Sequence, residues 1–233
     1  MVRIKKQSAL PSSENEKSKK TKELIYTTAI SLFQEVGFEE ATMRMIASKA
    51  GVALGSAYYY FQTKEDIVLH FYQISQEYAK KNSEAYCQSN KDFKLRIKNI
   101  ILFRIEYFSN YQKFISVLAK RAGDPNHRLS PFSEETSGVR IEAIQIIREA
   151  METSNQKLPK EVALHLPELL WLYQMGILYF WIYDSNKTGN RHLLVIDESL
   201  DLVFRFIKIS SLPLLKSLFG SLFKLIRLIR DGG

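Results

Sequence analysis

Cysteine is almost missing from these 233 residues: Cys87 stands alone, so no disulfide can close within the chain. No two Cys or His residues sit at a metal-ligand spacing either. The expectation is a reducing compartment and no bound metal. Proline and glycine are scarce, at six and ten, which leaves long uninterrupted segments that repeat their apolar residues at three and four rather than two. The expected fold class is all-α. Residues 1–22 hold no apolar run that could form the core of a signal peptide, so export by that route is not expected. Asn186-Lys187-Thr188 is then an unused acceptor site, and the expected location is cytoplasmic. The longest apolar stretch, residues 169–183, is 15 residues broken by Gln174, short of the roughly 20 that cross a bilayer, and reads as a buried helix. Enzyme signatures are lacking too: there is no Gly-x-Ser-x-Gly elbow, phosphate loop, dinucleotide fingerprint or His-Glu-x-x-His. His70, His127, His165 and His192 lie far apart in sequence, so no catalytic residue and no cofactor are expected.

What the chain does have is core-forming material and unevenly placed charge. Hydrophobic residues make up 45% and aromatics 12%, enough for a folded, water-soluble protein of one large domain or two small ones. The net charge of +8 is gathered at the ends, with +5 in residues 1–22 and +3 in residues 212–233, while the 189 residues between carry 22 charges of each sign. A basic arm and a basic tail on a neutral body point to a polyanion, either nucleic acid or an anionic membrane surface.

Residues 1–20 are polar and read as a flexible basic arm. A first helix is expected over 21–36, with Leu24, Ala29, Ile30, Leu32 and Phe33 as its apolar stripe and Gly37 as its stop. Thr42 is placed to cap a short helix over 43–50, ended by Gly51, and a third short helix covers 54–60. Thr63 and Asp66 form a capping pair for a long helix over 64–88. Further helices are expected over 92–109, 111–121, 131–152, 159–183, 195–210 and 213–230. No repeat of 20–50 residues is visible.

Residues 42–61 have the layout of a helix-turn-helix. Two short helices that cross closely need a small residue on the first, Ala47, and a residue tolerant of positive φ between them, Gly51. Ile46, Val52 and Ala57 supply the apolar contact that joins the pair. The second helix would enter a major groove about 12 Å wide. Residues 21–66, about a fifth of the chain, resemble the DNA-binding domain of the tetracycline-repressor (TetR) family of bacterial regulators. The resemblance rests on Leu32-Phe33-x-x-x-Gly37-Phe38, Ala41-Thr42-Met43, Ile46-Ala47-x-x-Ala50-Gly51-Val52 and Gly55-Ser56-Ala57-Tyr58-x-Tyr60-Phe61-x-x-Lys64-Glu65.

The resemblance implies an N-terminal three-helix DNA-binding domain over 21–66, then a larger helical domain over 67–211 for effector binding and dimerisation, with residues 212–233 left as a basic amphipathic helix. It further implies that Thr42 binds a phosphate, that Arg44 reaches a base edge or a phosphate, that Ser56, Tyr58, Tyr59 and Tyr60 line the DNA face, and that Lys64 meets the backbone. Met43, Ala53 and Leu54 are counted on the same face. Each role is physically sound, since Arg is bidentate to guanine and hydroxyls donate to phosphate. Three adjacent tyrosines, 100° apart on a helix, cannot all point inward, although Tyr59 could be structural. Ala53 stands where many members carry Ser, which removes an N-cap from the recognition helix. Ala57 replaces a larger aliphatic.

Residues 169–183 are apolar on every face and must be covered on every face. That places Leu169, Leu170, Leu172, Ile177 and Phe180, with Val195, Leu202 and Phe206, in a two-fold four-helix interface with a second copy. Phe103, Tyr107, Trp171, Tyr173, Tyr179 and Trp181 could line an apolar cavity with His165 or Arg121 as its polar group, or be plain core. The functional expectation is a repressor of a pseudo-palindromic operator in double-stranded DNA, released by a small hydrophobic or aromatic effector. The rival from another class is a helical protein held on anionic lipid by its basic ends. The tail at 213–230 has nine large apolar residues on one face and Lys216, Lys224, Arg227 and Arg230 on the other, so it either packs on protein or lies in a membrane interface.

Overall fold

A computed structural model describes residues 12–124, 127–184 and 190–209. Among these there are nine helices and no strand: α1 (Ser12–Glu35), α2 (Met43–Lys49), α3 (Leu54–Tyr60), α4 (Lys64–Ser89), α5 (Phe93–Ser109), α6 (Gln112–Ala122), α7 (Ser137–Glu152), α8 (Lys160–Tyr183) and α9 (Arg191–Ile209). The expected tail helix at 213–230 lies outside the described residues. The chain divides into two compact units, Met1–His70 and Phe71–Gly233.

In the first unit, α1 buries Ile25, Ala29, Ile30 and Phe33, the Phe33 ring meeting Phe38 edge-on at 5.1 Å. Helices α2 and α3 close this core with Ile46, Ala47 and Ala57, all essentially buried. Their angle is set by the turn between them. Gly51 has φ +66°, its N–H donates to the Ser48 carbonyl (3.2 Å), and the Val52 N–H reaches back to the Ala47 carbonyl (3.0 Å). That pairing is a Schellman closure, which needs a left-handed residue at this position. A Cβ at Gly51 would touch nothing within 4 Å, so Gly51→Ala tests backbone strain alone. It should lower stability by about 1–2 kcal/mol, read as a fall in the urea midpoint with an unchanged slope.

The start of α4 is a reciprocal capping box: the Thr63 N–H donates to Asp66 Oδ2 (2.8 Å) and the Asp66 N–H to Thr63 Oγ1 (3.1 Å). Three helix starts differ from the expectation by more than one residue, and the smallest difference is at α9, which begins at Arg191 rather than residue 195. Helix α1 begins at Ser12 rather than residue 21, so the second half of the presumed arm is helical. Nothing between Ser12 and Gly37 breaks a helix. A Glu16–Lys20 pair (3.8 Å) and a Ser18–Tyr60 hydroxyl contact (3.0 Å) hold the extension without an apolar stripe to announce it. Helix α7 begins at Ser137 rather than residue 131. Residues 127–136 are instead held in turns by side chains that take backbone bonds for themselves: Thr136 donates to the Ser130 carbonyl (2.6 Å), Ser130 to Ala122 (3.2 Å) and Arg140 to Pro131 (2.7 Å).

In the second unit, α8 packs against α5, α6, α7 and α9, and α5 packs against α6, α7 and α9. Half-buried pairs join α5 to α9, Lys98 to Asp197 at 2.5 Å and Lys94 to Asp201. The strongest tie is buried. Arg96, fully excluded from solvent, donates from Nε to the Asn90 carbonyl (2.6 Å), from Nη1 to the Ala150 carbonyl (2.7 Å) and Thr153 Oγ1 (2.8 Å), and from Nη2 to the Cys87 carbonyl (2.6 Å). Cys87 and Ala150 lie in the last turns of α4 and α7, where carbonyls have no partner within their own helix. One guanidinium therefore caps two helix ends at their negative poles.

Candidate functional site

The outer face of the first unit is assembled from α2, α3 and the first turn of α4. Thr42 is the N-cap of α2, extended at φ −118°, and its Oγ1 accepts from the Met45 N–H at 3.2 Å. The hydroxyl proton stays available, so Thr42 can cap the helix and donate to a phosphate oxygen at the same time. Arg44 projects from the next residue but one, exposed and with no salt bridge among the described residues. The other basic residue of α2, Lys49, is tied to Glu35 at 2.5 Å. Helix α3 turns Ala57 inward and leaves Tyr58 and Tyr59 out, Tyr59 80% exposed. Ala53 caps α3 with no side-chain bond, as its lack of a hydroxyl requires. Ser56 and Leu54 are half-buried on the same helix.

Three sequence-derived contacts sit differently from a free DNA face. Met43 points into the core with 7% of its surface exposed, because the first apolar position of α2 faces α1. Its side chain is therefore not offered to a groove. Tyr60 is half-buried, its ring against Tyr59 at 5.0 Å and its hydroxyl on Ser18. Lys64 lies 4.7 Å over the Phe38 ring and donates to the carbonyls of Phe38 (2.7 Å) and Glu39 (3.0 Å). An ammonium has three donors, so one remains for a phosphate.

In the second unit a half-open cavity of about 120 Å³ lies between α4, α5, α6, α7 and α8. Its wall is mostly apolar, with Phe108, Ile115, Leu118, Leu178 and Ile182 among the lining residues. Of the eight residues expected from sequence, Trp171 and Tyr179 line it. The other rings are spent on packing: Tyr107 lies within 5.2 to 5.7 Å of Tyr78, Tyr111 and Phe71, and Phe103 lies 6.4 Å from Tyr86. Tyr173 exchanges a hydroxyl contact with Ser199 of α9 (2.6 Å), and Trp181 and His165 are buried away from the cavity. Arg121 is half-buried outside it.

Four buried polar residues on the wall are ones that sequence reasoning missed: Ser75, Gln76, Arg104 and Gln174. Arg104 Nη1 donates to Ser75 Oγ (3.1 Å) and Nη2 to Gln76 Oε1 (2.5 Å). Loss of hydration lowers its pKa to about 10, so it remains a cation at neutral pH. Burial pushes the Tyr72 phenol, also on the wall, well above its ordinary value. A signal for Arg104 was present. It continues the stripe Ile97, Ile101, Arg104, Phe108, which marks the buried face of α5.

On α8 and α9 the residues expected at a two-fold interface divide. Leu172 on α8, and Leu202 and Phe206 on α9, are exposed, the last two by 56% and 53%. Leu169, Phe180 and Val195 are half-buried. Leu170 and Ile177 are buried inside their own unit, which corrects their assignment to the interface: Leu170, Gln174, Ile177 and Trp181 form the inward side of α8.

A capped helix-turn-helix with an exposed arginine and tyrosines, joined to a helical body containing a cavity, defines a DNA-binding transcriptional regulator. The chain belongs to the tetracycline-repressor family: residues 25–71 match the bacterial regulatory proteins of the tetR family, and residues 96–222 match the tetracyclin repressor-like C-terminal domain. No curated protein sequence matches it. Among solved structures it is similar to a TetR regulator from Nitrosomonas europaea (18% identity, TM-score 0.61, covering 78% of this chain and 96% of that one). FadR from Bacillus subtilis, solved with stearoyl-CoA, shares 16% identity at TM-score 0.59, covering 77% and 96%. AibR, solved with isovaleryl coenzyme A and operator DNA, shares 16% at TM-score 0.51, covering 78% and 97%.

Proposed function

We propose that this protein is a cytoplasmic homodimeric repressor that reads an inverted-repeat operator with α3, and that a small apolar effector entering the cavity of the second unit releases it. The observation that carries the DNA reading is the division of α2 and α3 into two faces. Ile46, Ala47 and Ala57 are buried on one side, while Thr42, Arg44, Tyr58 and Tyr59 are exposed on the other. The exposed lysines of α1, Lys17, Lys19 and Lys20, add phosphate contacts that steepen the salt dependence. AibR, solved with both an acyl thioester and operator DNA, supports pairing the two functions on this fold.

A selection of genomic fragments on the purified protein tests the reading, with recovery of one inverted-repeat sequence as the expected result. A protein that enriches no sequence would end it. The dimer follows from the exposed Leu172, Leu202 and Phe206, which a two-fold neighbour would cover. Leu202→Glu combined with Phe206→Glu should convert a species of twice the 27.0 kDa chain mass into one of the chain mass in sedimentation, and operator affinity should fall with it. The same species for native and variant protein would rule the α9 interface out. Among the described residues no helix is long and apolar enough to cross a membrane.

A further inference from the structure

The unpaired atoms of the cavity are all of one kind. Gln76 Nε2, Arg104 Nε and Gln174 Nε2 are buried and have no hydrogen-bond partner, and all three residues line the cavity, one each from α4, α5 and α8. Every one of these atoms is an N–H donor. The orientation of Gln76 follows from its neighbour, since its Oε1 accepts from Arg104 and its amide nitrogen must be the free end. No Asp or Glu lines the cavity, and the second cation on the wall, Arg140, spends its Nη1 on the carbonyls of Pro131 and Ser133. A buried cation without a counter-charge, beside donors without acceptors, is an unfavourable arrangement that a ligand of the right chemistry would relieve.

We infer that the cavity takes a monocarboxylate with an apolar body, its two oxygens accepting from Arg104, Gln76 and Gln174 and its hydrocarbon lying against Ile115, Leu118 and Leu178. This deepens the proposed effector reading and rests on it. A carboxylate is an acceptor only, with about four lone-pair sites for three donors, and its negative charge offsets the buried Arg104 guanidinium, whose own partners are the neutral Ser75 and Gln76. An alcohol leaves that charge unopposed, and an amine adds donors and a second positive charge. The thioester carbonyl of an acyl-coenzyme A is a neutral acceptor, so this head-group assignment differs from the ligands bound by FadR and AibR.

The experiment uses the full-length protein, its selected operator, and matched series of acids, primary alcohols and coenzyme A thioesters from six to twelve carbons, with binding read by calorimetry and release by loss of the operator complex. The best-fitting acid should bind at least tenfold more tightly than its alcohol and release the operator. Arg104→Gln should erase that preference, bringing the acid to the level of the alcohol. Gln174→Leu, which keeps the guanidinium, should weaken the acid several-fold and narrow its advantage over the alcohol, and it covers the case in which Arg104→Gln does not fold. Acid and alcohol binding alike to native protein would overturn the carboxylate. Release by thioesters or alcohols, with no effect of the acids, would overturn the carboxylate and leave the effector reading standing. If no compound of any series binds or releases DNA while the operator complex forms normally, the effector reading fails as well.

Discussion

Replacing Arg44 by alanine should weaken operator binding by about 5- to 150-fold, the equivalent of 1–3 kcal/mol for a lost base contact. The loss should be uneven across sequences. If Arg44 is bidentate to a guanine, Arg44→Ala relaxes the preference at one position of each half-site and leaves non-specific affinity nearly intact. Thr42→Ala should behave differently. It removes a phosphate donor and the α2 cap together, so it weakens all sequences alike and costs about 1 kcal/mol of stability. Affinity measured against a panel of single-base operator variants separates the two patterns. An Arg44→Ala protein with native affinity and native preference would remove Arg44 from the interface.

The largest effect on stability should come from Arg96→Ala. The native side chain makes four charge-assisted bonds in a solvent-free setting, three of them to carbonyls at the ends of α4 and α7 and the segment that follows α4. Truncation takes the donor from all four acceptors, the Ala150 carbonyl among buried atoms, and opens a void where the guanidinium was, and the expected loss is about 3–5 kcal/mol, a large share of a domain's total. Lysine should recover less than half of it, because one ammonium cannot reach carbonyls that a planar fork addresses in three directions. Urea denaturation followed by circular dichroism measures both. A loss below 1 kcal/mol for Arg96→Ala would show that water replaces the guanidinium at these helix ends.

The parts of this molecule that were legible in its sequence are those set by local chemistry. The Thr42 cap, the Gly51 reversal and the Thr63–Asp66 box each involve residues a few positions apart, and residue type alone decides them. The start of α1 was hidden because its added turns bury nothing; a Glu16–Lys20 pair and a long-range hydroxyl contact hold them. The cavity was hidden for the opposite reason. Rings are abundant, but Tyr107 and Phe103 satisfy one another and their neighbours in packed clusters. The wall is instead marked by polar residues on apolar stripes, Arg104 on α5 and Gln174 on α8, which read in sequence as interruptions. The same periodicity separates Leu170 from Leu172: α8 is apolar all round, so composition cannot say which side its own unit covers.

The unpaired donors of the cavity also bear on how this chain can drift under mutation. Leucine at position 174 would remove a buried N–H that has no acceptor, an exchange that is commonly neutral or stabilising, whereas leucine at position 76 would also strip Arg104 of the oxygen that accepts from it. A screen for heat resistance would therefore gather hydrophobic replacements at position 174 and return proteins that fold better and, on the proposed reading, respond less to the effector. If the cavity takes the proposed effector, a polar side chain at position 174 is kept where responsiveness is selected together with folding.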